Sequence, residues 1–364
     1  MLKVQDWLSN NNNDFDKLKE EYGIKYNIYS DRVVLNYCQI DSKKNDPITI
    51  ECRALILSYP NTNIILSRSF DRFFNFGEDQ DSDKFDITAA TIYSKEDGSL
   101  INCYHDGNEL CIATRSMAFA EGETVSGPTF KELVERVNPN LLENINTKLS
   151  ERFYTNHTFM LELCTPENRV VKPYGKDRLF LIGVRNKVTG EYLTDWEVDK
   201  IAVVLGIDRP EEIFLNSWDS ITENISKLPL MDEGYVCNHN GWRIKIKSPA
   251  HVAISHLREN GVISPKRISK LVFLGESEEY ISYFPEDYKF FVPYMDAYVE
   301  FRENINAIWL CVKDIKDQKE FAMEVKDLKI AGILFAMKKG LTIEQCISNM
   351  NDNKKLEVLN YYKE

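Results

Sequence analysis

Apolar and polar positions divide the chain into two textures. From residue 29 to about 113, short apolar runs alternate with polar breaks, a pattern that predicts strands. Ile48 to Ser58 and Ile64 to Ser67, separated by Pro60-Asn61-Thr62-Asn63, predict a hairpin. Thr91-Ile92-Tyr93 and Leu100 to Tyr104 predict two more strands, broken at Asp97-Gly98. A second bend at His105-Asp106-Gly107-Asn108 returns the chain through Leu110, Ile112 and Thr114. Near the start, Asn10 to Asp14 can cap a short helix from Phe15 to Glu21. Residues 129 to 149 read as helical, with Phe130, Leu133, Val134 and Val137 on one face. Strands resume at Thr158 to Leu163 and Arg178 to Val184, and a helix from Asp195 to Leu205 stops at Gly206. A hairpin then runs from Gly234 to Asn238 and from Trp242 to Lys247, around His239-Asn240-Gly241.

At Ser248-Pro249 the period changes. Ser as N-cap and Pro as first helical residue open a helix, and Ser264-Pro265 repeats the signal. Tyr298, Phe301, Ile305, Ile308, Val312 and Ile315 recur at spacings of three and four, one face of a long helix. Gly340 closes another, and Thr342 with Gln345 forms a capping box for the last. The expected fold class is therefore α+β: antiparallel sheets with flanking helices over residues 1–247, then an all-helical C-terminal domain over 248–364.

Composition adds bounds. The 364 residues are 43% hydrophobic and 28% charged, as in an ordinary globular protein. The net charge of -12 argues against a general polyanion binder. Residues 251–364 hold 16 Lys+Arg and 18 Asp+Glu, so the acidity lies mainly in the first part. Eight cysteines lack any Cys-x-x-Cys spacing, which makes zinc improbable and suits reduced, buried thiols. No signal peptide or bilayer-length apolar run is seen, so a soluble, cytoplasmic protein without membrane contact is expected. The acidic stretch Glu78 to Asp83 lacks the glycine and terminal glutamate of an EF-hand and reads as a solvated loop.

The chemistry centres on Lys95, set beside the Asp97-Gly98 turn between two strands. A lysine so held can be a nucleophile if burial and nearby cations favour its neutral amine. Alone, Lys95-Glu96-Asp97-Gly98 would equally describe a solvated surface hairpin. Other features join it. Glu162 stands in the apolar strand Leu161-Glu162-Leu163, where a carboxylate needs a partner. Glu233 opens the late hairpin, whose returning strand places Arg243, Lys245 and Lys247 on one face at period two. Arg53 and Arg72 sit beside aromatic residues upstream. A nucleophilic lysine, two strand carboxylates and several cations suit nucleoside triphosphate chemistry without a P-loop, whose Gly-x-x-x-x-Gly-Lys-Ser/Thr string does not occur.

These strings, in this order, resemble the covalent nucleotidyltransferase superfamily, and within it the bacteriophage RNA ligase 1 family of ATP-dependent tRNA-repair ligases. The resemblance rests on Glu51-Cys52-Arg53, Arg72-Phe73-Phe74-Asn75, Lys95 to Leu100, Asn168 to Val171, Thr189 to Tyr192, Glu233 to Val236 and Lys245-Ile246-Lys247-Ser248. It implies a nucleotidyltransferase domain over 1–247 and an RNA-specificity role for 248–364. It implies three steps: Lys95 attacks the α-phosphorus of ATP, AMP passes to an RNA 5′-phosphate, and a 3′-hydroxyl displaces it. Lys245 and Lys247 would hold the α-phosphate and help depress the Lys95 pKa. Arg53 and Arg72 would hold the outer phosphates, Glu162 the ribose hydroxyls, and Glu233 a magnesium ion through water, with manganese as an alternative. Tyr37 matches a nucleotide-contacting tyrosine. Arg115 stands where the family often has a lysine needed for ligation, and Arg72 likewise replaces a usual lysine. Glu278 falls at an acidic metal position. The implied partner is RNA with 5′-phosphate and 3′-hydroxyl ends, such as a cleaved tRNA anticodon loop, acted on by a monomer. A DNA ligase or a capping guanylyltransferase of the same superfamily, or a non-catalytic RNA-binding scaffold, is the alternative.

Overall fold

The computed structural model describes every residue except 39–40, 79–83, 125–126, 250, 252–262, 276 and 364. Most of the acidic loop expected at 78–83, and the run of the helix expected from Ser248-Pro249, lie outside the described residues. The chain divides into two compact units, Met1–Ser255 and His256–Glu364.

The first unit holds three antiparallel sheets. The first contains β1 (Ile24–Ile28), β2 (Arg32–Tyr37), β3 (Leu55–Ser58) and β4 (Ile65–Ser67) in chain order. The second is β11 (Trp242–Lys247), β10 (Gly234–His239) and β5 (Thr91–Ser94). The third is ordered β7 (Leu110–Thr114), β6 (Ser99–His105), β8 (His157–Cys164), β9 (Arg178–Asn186). The helices α1 (Lys3–Asn10), α2 (Phe15–Tyr22) and α3 (Pro47–Glu51) cover the first sheet through Val4, Leu8, Leu18 and Ile48. The helices α4 (Phe130–Val137), α5 (Leu141–Lys148), α6 (Glu151–Tyr154) and α7 (Asp195–Leu205) cover the third. The helix α8 (Trp218–Ser226) backs the second with Ile221 and Ile225.

Alternation decides what each sheet offers. On β8, Phe159, Leu161 and Leu163 enter the core beneath α4 and α5, so Glu162 points to the opposite face. On the second sheet, Ile92, Tyr235, Cys237 and Ile244 enter the core with α8, so Tyr93, Val236, Arg243 and Lys245 face away from it.

Two expected elements differ. The strand expected from Ile48 begins as α3, because the Asp46 carboxylate caps the Ile48 N–H and Pro47 is the first helical residue. Only Leu55–Ser58 is extended. The helical stretch expected over 129–149 is two helices, since Pro139 has no N–H to continue the first. The eight cysteines are free, and all but Cys311 are buried.

Among the described residues of the second unit every regular element is helical, including Pro265–Leu274, Tyr288–Val312 and Asp352–Tyr362. Phe301 and Ile305 are buried on the expected face of the long helix, and Phe301 meets Phe273 edge-on at 5.9 Å. The capping box at Thr342 forms, but the helix it opens is followed by one more, Asp352–Tyr362. No described helix is long and apolar enough to cross a membrane.

Candidate active site

Ladder pairing assembles the site. Tyr93 lies opposite Val236, which lies opposite Lys245; Asn238 lies opposite Arg243 and Gly234 opposite Lys247. Opposed residues of an antiparallel pair share a face, so these side chains form one surface. Lys95, two residues after Tyr93, continues it, and its N–H donates to the Gly234 carbonyl at 2.8 Å. Close approaches fix two glycines. A Cβ on Gly98 would lie 2.2 Å from the Leu163 carbonyl oxygen, and one on Gly234, at φ +130°, 2.1 Å from that of Ile246.

Asp97 locks the turn. Its Oδ2 accepts the N–H groups of Val171 and Lys172, each at 2.7 Å. Its own N–H donates to the Tyr174 hydroxyl at 2.8 Å, and that hydroxyl donates to Glu96 Oε2 at 2.9 Å. The lysine beside this turn is thereby held on rigid backbone.

The Lys95 Nζ donates to Glu233 Oε2 at 2.6 Å, and the Lys247 Nζ reaches Glu233 Oε1 at 2.7 Å. Glu162 Oε1 accepts the Gly98 N–H at 3.2 Å. One cavity is lined by Tyr37, Arg53, Lys95, Arg115, Glu162, Glu233, Lys245 and Lys247, with Phe70 and Phe73 as apolar wall. Eight of the expected residues thus meet. Arg72 does not line it: its guanidinium lies over the Tyr37 ring at 4.2 Å and borders a neighbouring groove with Phe74 and Arg243. Arg115 covers the same ring at 4.7 Å. Glu278 is exposed on the helix Ser277–Tyr283 of the second unit, and no metal-competent group of described residues includes it.

Electrostatics separates the charged groups. Burial presses the Lys95 ammonium down, but the charges of Glu233 and Glu162 outweigh it and raise its pKa. This corrects the expectation of a depressed Lys95: repulsion from Lys245 does press it down, but Glu233, in contact with it, and Glu162 outweigh that effect. Burial instead pushes Lys245 down to about 7, helped by Arg53, Lys95 and Lys247. Burial raises Glu162 to about 7, while Lys95 and Lys247 overcome burial and hold Glu233 below its ordinary value. Burial lowers Arg53, whose Nη1 is buried without a hydrogen-bond partner. Such orphaned cationic donors mark where an anion would be bound.

Asp97, Glu233 and His251 bring ligand atoms within 4.8 Å of one another, a possible metal site. Carboxylate oxygens suit a hard divalent cation that keeps its waters. Both Glu233 oxygens already hold ammonium groups, and Asp97 Oδ2 holds two amides, with His251 Nε2 3.7 Å away. These donors therefore fit a cation held through water better than one bound directly.

Reasoning from sequence missed Tyr174, and the part of the cavity formed by Tyr93, Ile182, Asp195, Arg209 and Asn238. Period two places Tyr93 with Lys95 and Asn238 with Val236, but Asp195 and Arg209 arrive by tertiary packing alone.

A lysine tied to a carboxylate, ringed by cations in a cavity on a rigid sheet face, defines a candidate covalent nucleotidyl-transfer site. Comparison with known proteins gives the lineage: a family model described as RNA ligase matches residues 51–251, over half the chain, and the chain belongs to that RNA ligase family. It is 31% identical over 361 residues to a provisionally named bifunctional polynucleotide kinase/RNA ligase of Autographa californica nuclear polyhedrosis virus, covering 94% of this chain and 50% of that protein. It is 29% identical over 136 residues to RNA ligase 1 of Bacteriophage TS2126, covering 35% of this chain and 33% of that one. The chain spans about half the length, or less, of the curated relatives it matches. A solved Naegleria gruberi RNA ligase mutant with AMP and Mn is similar at TM-score 0.40 and 14% identity, over 51% of this chain and 57% of that one.

Proposed function

We propose that the chain is an ATP-dependent RNA ligase that joins 5′-phosphate and 3′-hydroxyl ends through lysyl-AMP and RNA-adenylate intermediates. The observation that carries this is the meeting of Lys95, Glu162, Glu233, Lys245, Lys247 and Arg53 around one cavity. Phosphoryl transfer needs positioning and charge neutralisation more than covalent chemistry from the protein. The Lys95 ammonium first gives up a proton, for which the Glu233 carboxylate at 2.6 Å is the placed acceptor. The neutral amine attacks the α-phosphorus of ATP, the bond to the bridging oxygen breaks, and pyrophosphate leaves. Lys245 and Lys247 neutralise the α-phosphate. Arg53 has an unused donor for the outer phosphates. Arg72, whose Nη1 is also buried without a hydrogen-bond partner, supports this end from the groove beside the cavity, where its guanidinium fixes Tyr37. Glu162 accepts from the ribose hydroxyls. The AMP then passes to an RNA 5′-phosphate, and the 3′-hydroxyl displaces it, with Arg115, which lines the cavity, meeting the RNA end.

Glu233 would hold a magnesium or manganese ion through water, with Asp97 and His251 beside it. Such an ion supplies added charge neutralisation on the phosphates. Residues 1–247 serve as the adenylyltransferase part and 248–364 as the reader of the RNA. A broken tRNA is the substrate that the family resemblance favours, acted on by a monomer in the cytoplasm.

The test is incubation with ATP labelled on the α-phosphate, then with 5′-phosphorylated RNA. The intact protein should take up label covalently and pass it on to RNA. Lys95→Ala should take up none, and Lys95→Arg should also fail because a guanidinium does not deprotonate. Label retained by folded Lys95→Ala would overturn the assignment.

A further inference from the structure

The cavity extends beyond Lys95 to a polar end that the ligation steps leave without a role. Tyr93, Asp195, Arg209 and Asn238 form it. Asn238 is four residues along β10 from Gly234, which faces Lys247; at about 3.4 Å per residue that is about 13 Å. A nucleoside whose phosphate lies at the lysine end would reach this far with its base. Val236 lies midway between Gly234 and Asn238, and it and Ile182 also line the cavity, apolar side chains suited to the flat faces of a ring.

Hydrogen bonding singles out one group here. The Arg209 Nε donates to Asp199 Oδ1 at 2.7 Å and its Nη1 to the Leu181 carbonyl. Its Nη2 stands 3.5 Å from Asp195 Oδ1, and its guanidinium lies over the Tyr93 ring at 4.8 Å. The Asn238 Nδ2 donates to Asp195 Oδ2 at 2.9 Å, and its Oδ1 accepts the Gly241 N–H at 3.1 Å. Asp195 is thus held from two sides while its side chain keeps 24% of its surface open. A carboxylate offers about four lone-pair positions and no donor; among the described residues one hydrogen bond, from Asn238, and the Arg209 ion pair use it. The best-fixed group with spare capacity at this end is therefore an acceptor.

We propose that Asp195 reads the base of the nucleoside triphosphate by accepting a hydrogen bond from the exocyclic 6-amine of adenine. The inference rests on the reading of the cavity as an ATP site. On that reading the chemistry matches, because the 6-amine is the one N–H donor group on the edge of an adenine base and Asp195 is the charged acceptor at this end. Arg209 and Asn238 are positioning residues that aim the carboxylate.

The test compares lysyl-nucleotide formation with ATP and with its 6-deaminated analogue, purine riboside triphosphate. A hydrogen bond to a charged acceptor separates such a pair by about 10- to 100-fold. The intact protein should prefer ATP by that factor, and Asp195→Ala should bring the ratio near one. Asp195→Asn, which keeps a neutral acceptor, should retain part of it. The ratio is internal to each variant, so partial loss of folded protein cancels. Calorimetric binding of both nucleotides to Lys95→Ala should show the same preference without catalysis. Equal use of the two nucleotides by the intact protein, or an undiminished ratio in Asp195→Ala, would overturn this role. Failure of the intact protein to form any adduct with ATP would instead overturn the ligase reading.

Discussion

Lys245→Met should stabilise the first unit while disabling its chemistry. The Lys245 amine is buried near Arg53, Lys95 and Lys247, pressed down to about 7. Among the described residues no carboxylate forms an ion pair with it, the charge of Glu78 offsets only part of the strain, and its amine lies 5.0 Å from the Phe73 ring centroid. A cation with a lowered folded pKa is a penalty on folding. That penalty is full below about 7 and fades as pH rises toward the ordinary 10.5 of a free lysine. At about 1.4 kcal/mol per unit, the gap sets a ceiling of about 4 kcal/mol at pH 7. Partial solvent access reduces this to about 1–2 kcal/mol. Methionine keeps the apolar stem over Phe73 and leaves the backbone bonds of residue 245 to Phe74 and Phe76 in place. Calorimetric melting at pH 7 should therefore show a rise of about 2–6 °C. The difference from the unsubstituted protein should shrink between pH 7 and pH 10. Lysyl-AMP formation should fall by about 100-fold or more, as when a group that stabilises transition-state charge is lost. A melting point unchanged or lowered at pH 7, or a difference that does not vary with pH, would refute the charge-strain account.

Other outcomes separate the remaining roles. Arg53→Ala should slow lysine adenylylation more than the sealing of RNA that already carries a 5′-AMP, since the outer phosphates have then left; equal losses in the two assays would contradict the role. Arg72→Ala, whose side chain packs on the Tyr37 ring outside the cavity lining, should slow both steps alike, and a loss confined to adenylylation would show phosphate contact instead. A chain ending at Ser255 keeps His251 beside Asp97 and should still form lysyl-AMP. It should lose discrimination between a nicked tRNA-like stem-loop and plain single-stranded RNA, and an unchanged ratio of the two rates would reassign the second unit to another task.

The parts of the site legible in the sequence are those that strand periodicity controls. The face shared by Arg243, Lys245 and Lys247 follows from counting by twos, and Asp97-Gly98 marks its own turn. Glu162 stands out because an acidic residue interrupts an apolar run. What stayed hidden depends on long-range closure. That β5 pairs with β10, about 140 residues later (as in Tyr93 with Val236), has no local signature. Nor does the hydrogen bond of the Asp97 N–H to the Tyr174 hydroxyl. The short helix Pro47–Glu51 was legible in principle, since Asp46-Pro47 is a helix start, but the β-branched run Ile48-Thr49-Ile50 masks it. That Arg72 packs on the Tyr37 ring is a packing outcome, and periodicity cannot reach it.

Glu233 provides the counterpart to Lys245. Its carboxylate is the shared counter-ion of two ammonium groups, with its side chain 6% exposed and those of Lys95 and Lys247 21% and 32% exposed. Removing it leaves two cations facing each other and Arg53 across one cavity. Breaking a fully buried pair by deleting one partner costs about 3–5 kcal/mol. The partial exposure of both lysines lowers this, and Glu233→Gln should destabilise the first unit by about 1–3 kcal/mol. The sign is opposite to that of Lys245→Met, although both substitutions remove one charge from the same cavity. The contrast follows from arrangement: at Lys245 the removed charge is surplus, and at Glu233 it is the balance. Melting both variants in low and high salt distinguishes this from a general packing effect, because added salt should narrow each difference from the unsubstituted protein. A Glu233→Gln variant as stable as the unsubstituted protein would mean that solvent, not Glu233, neutralises Lys95 and Lys247, and that Lys95 is not held in place by this carboxylate.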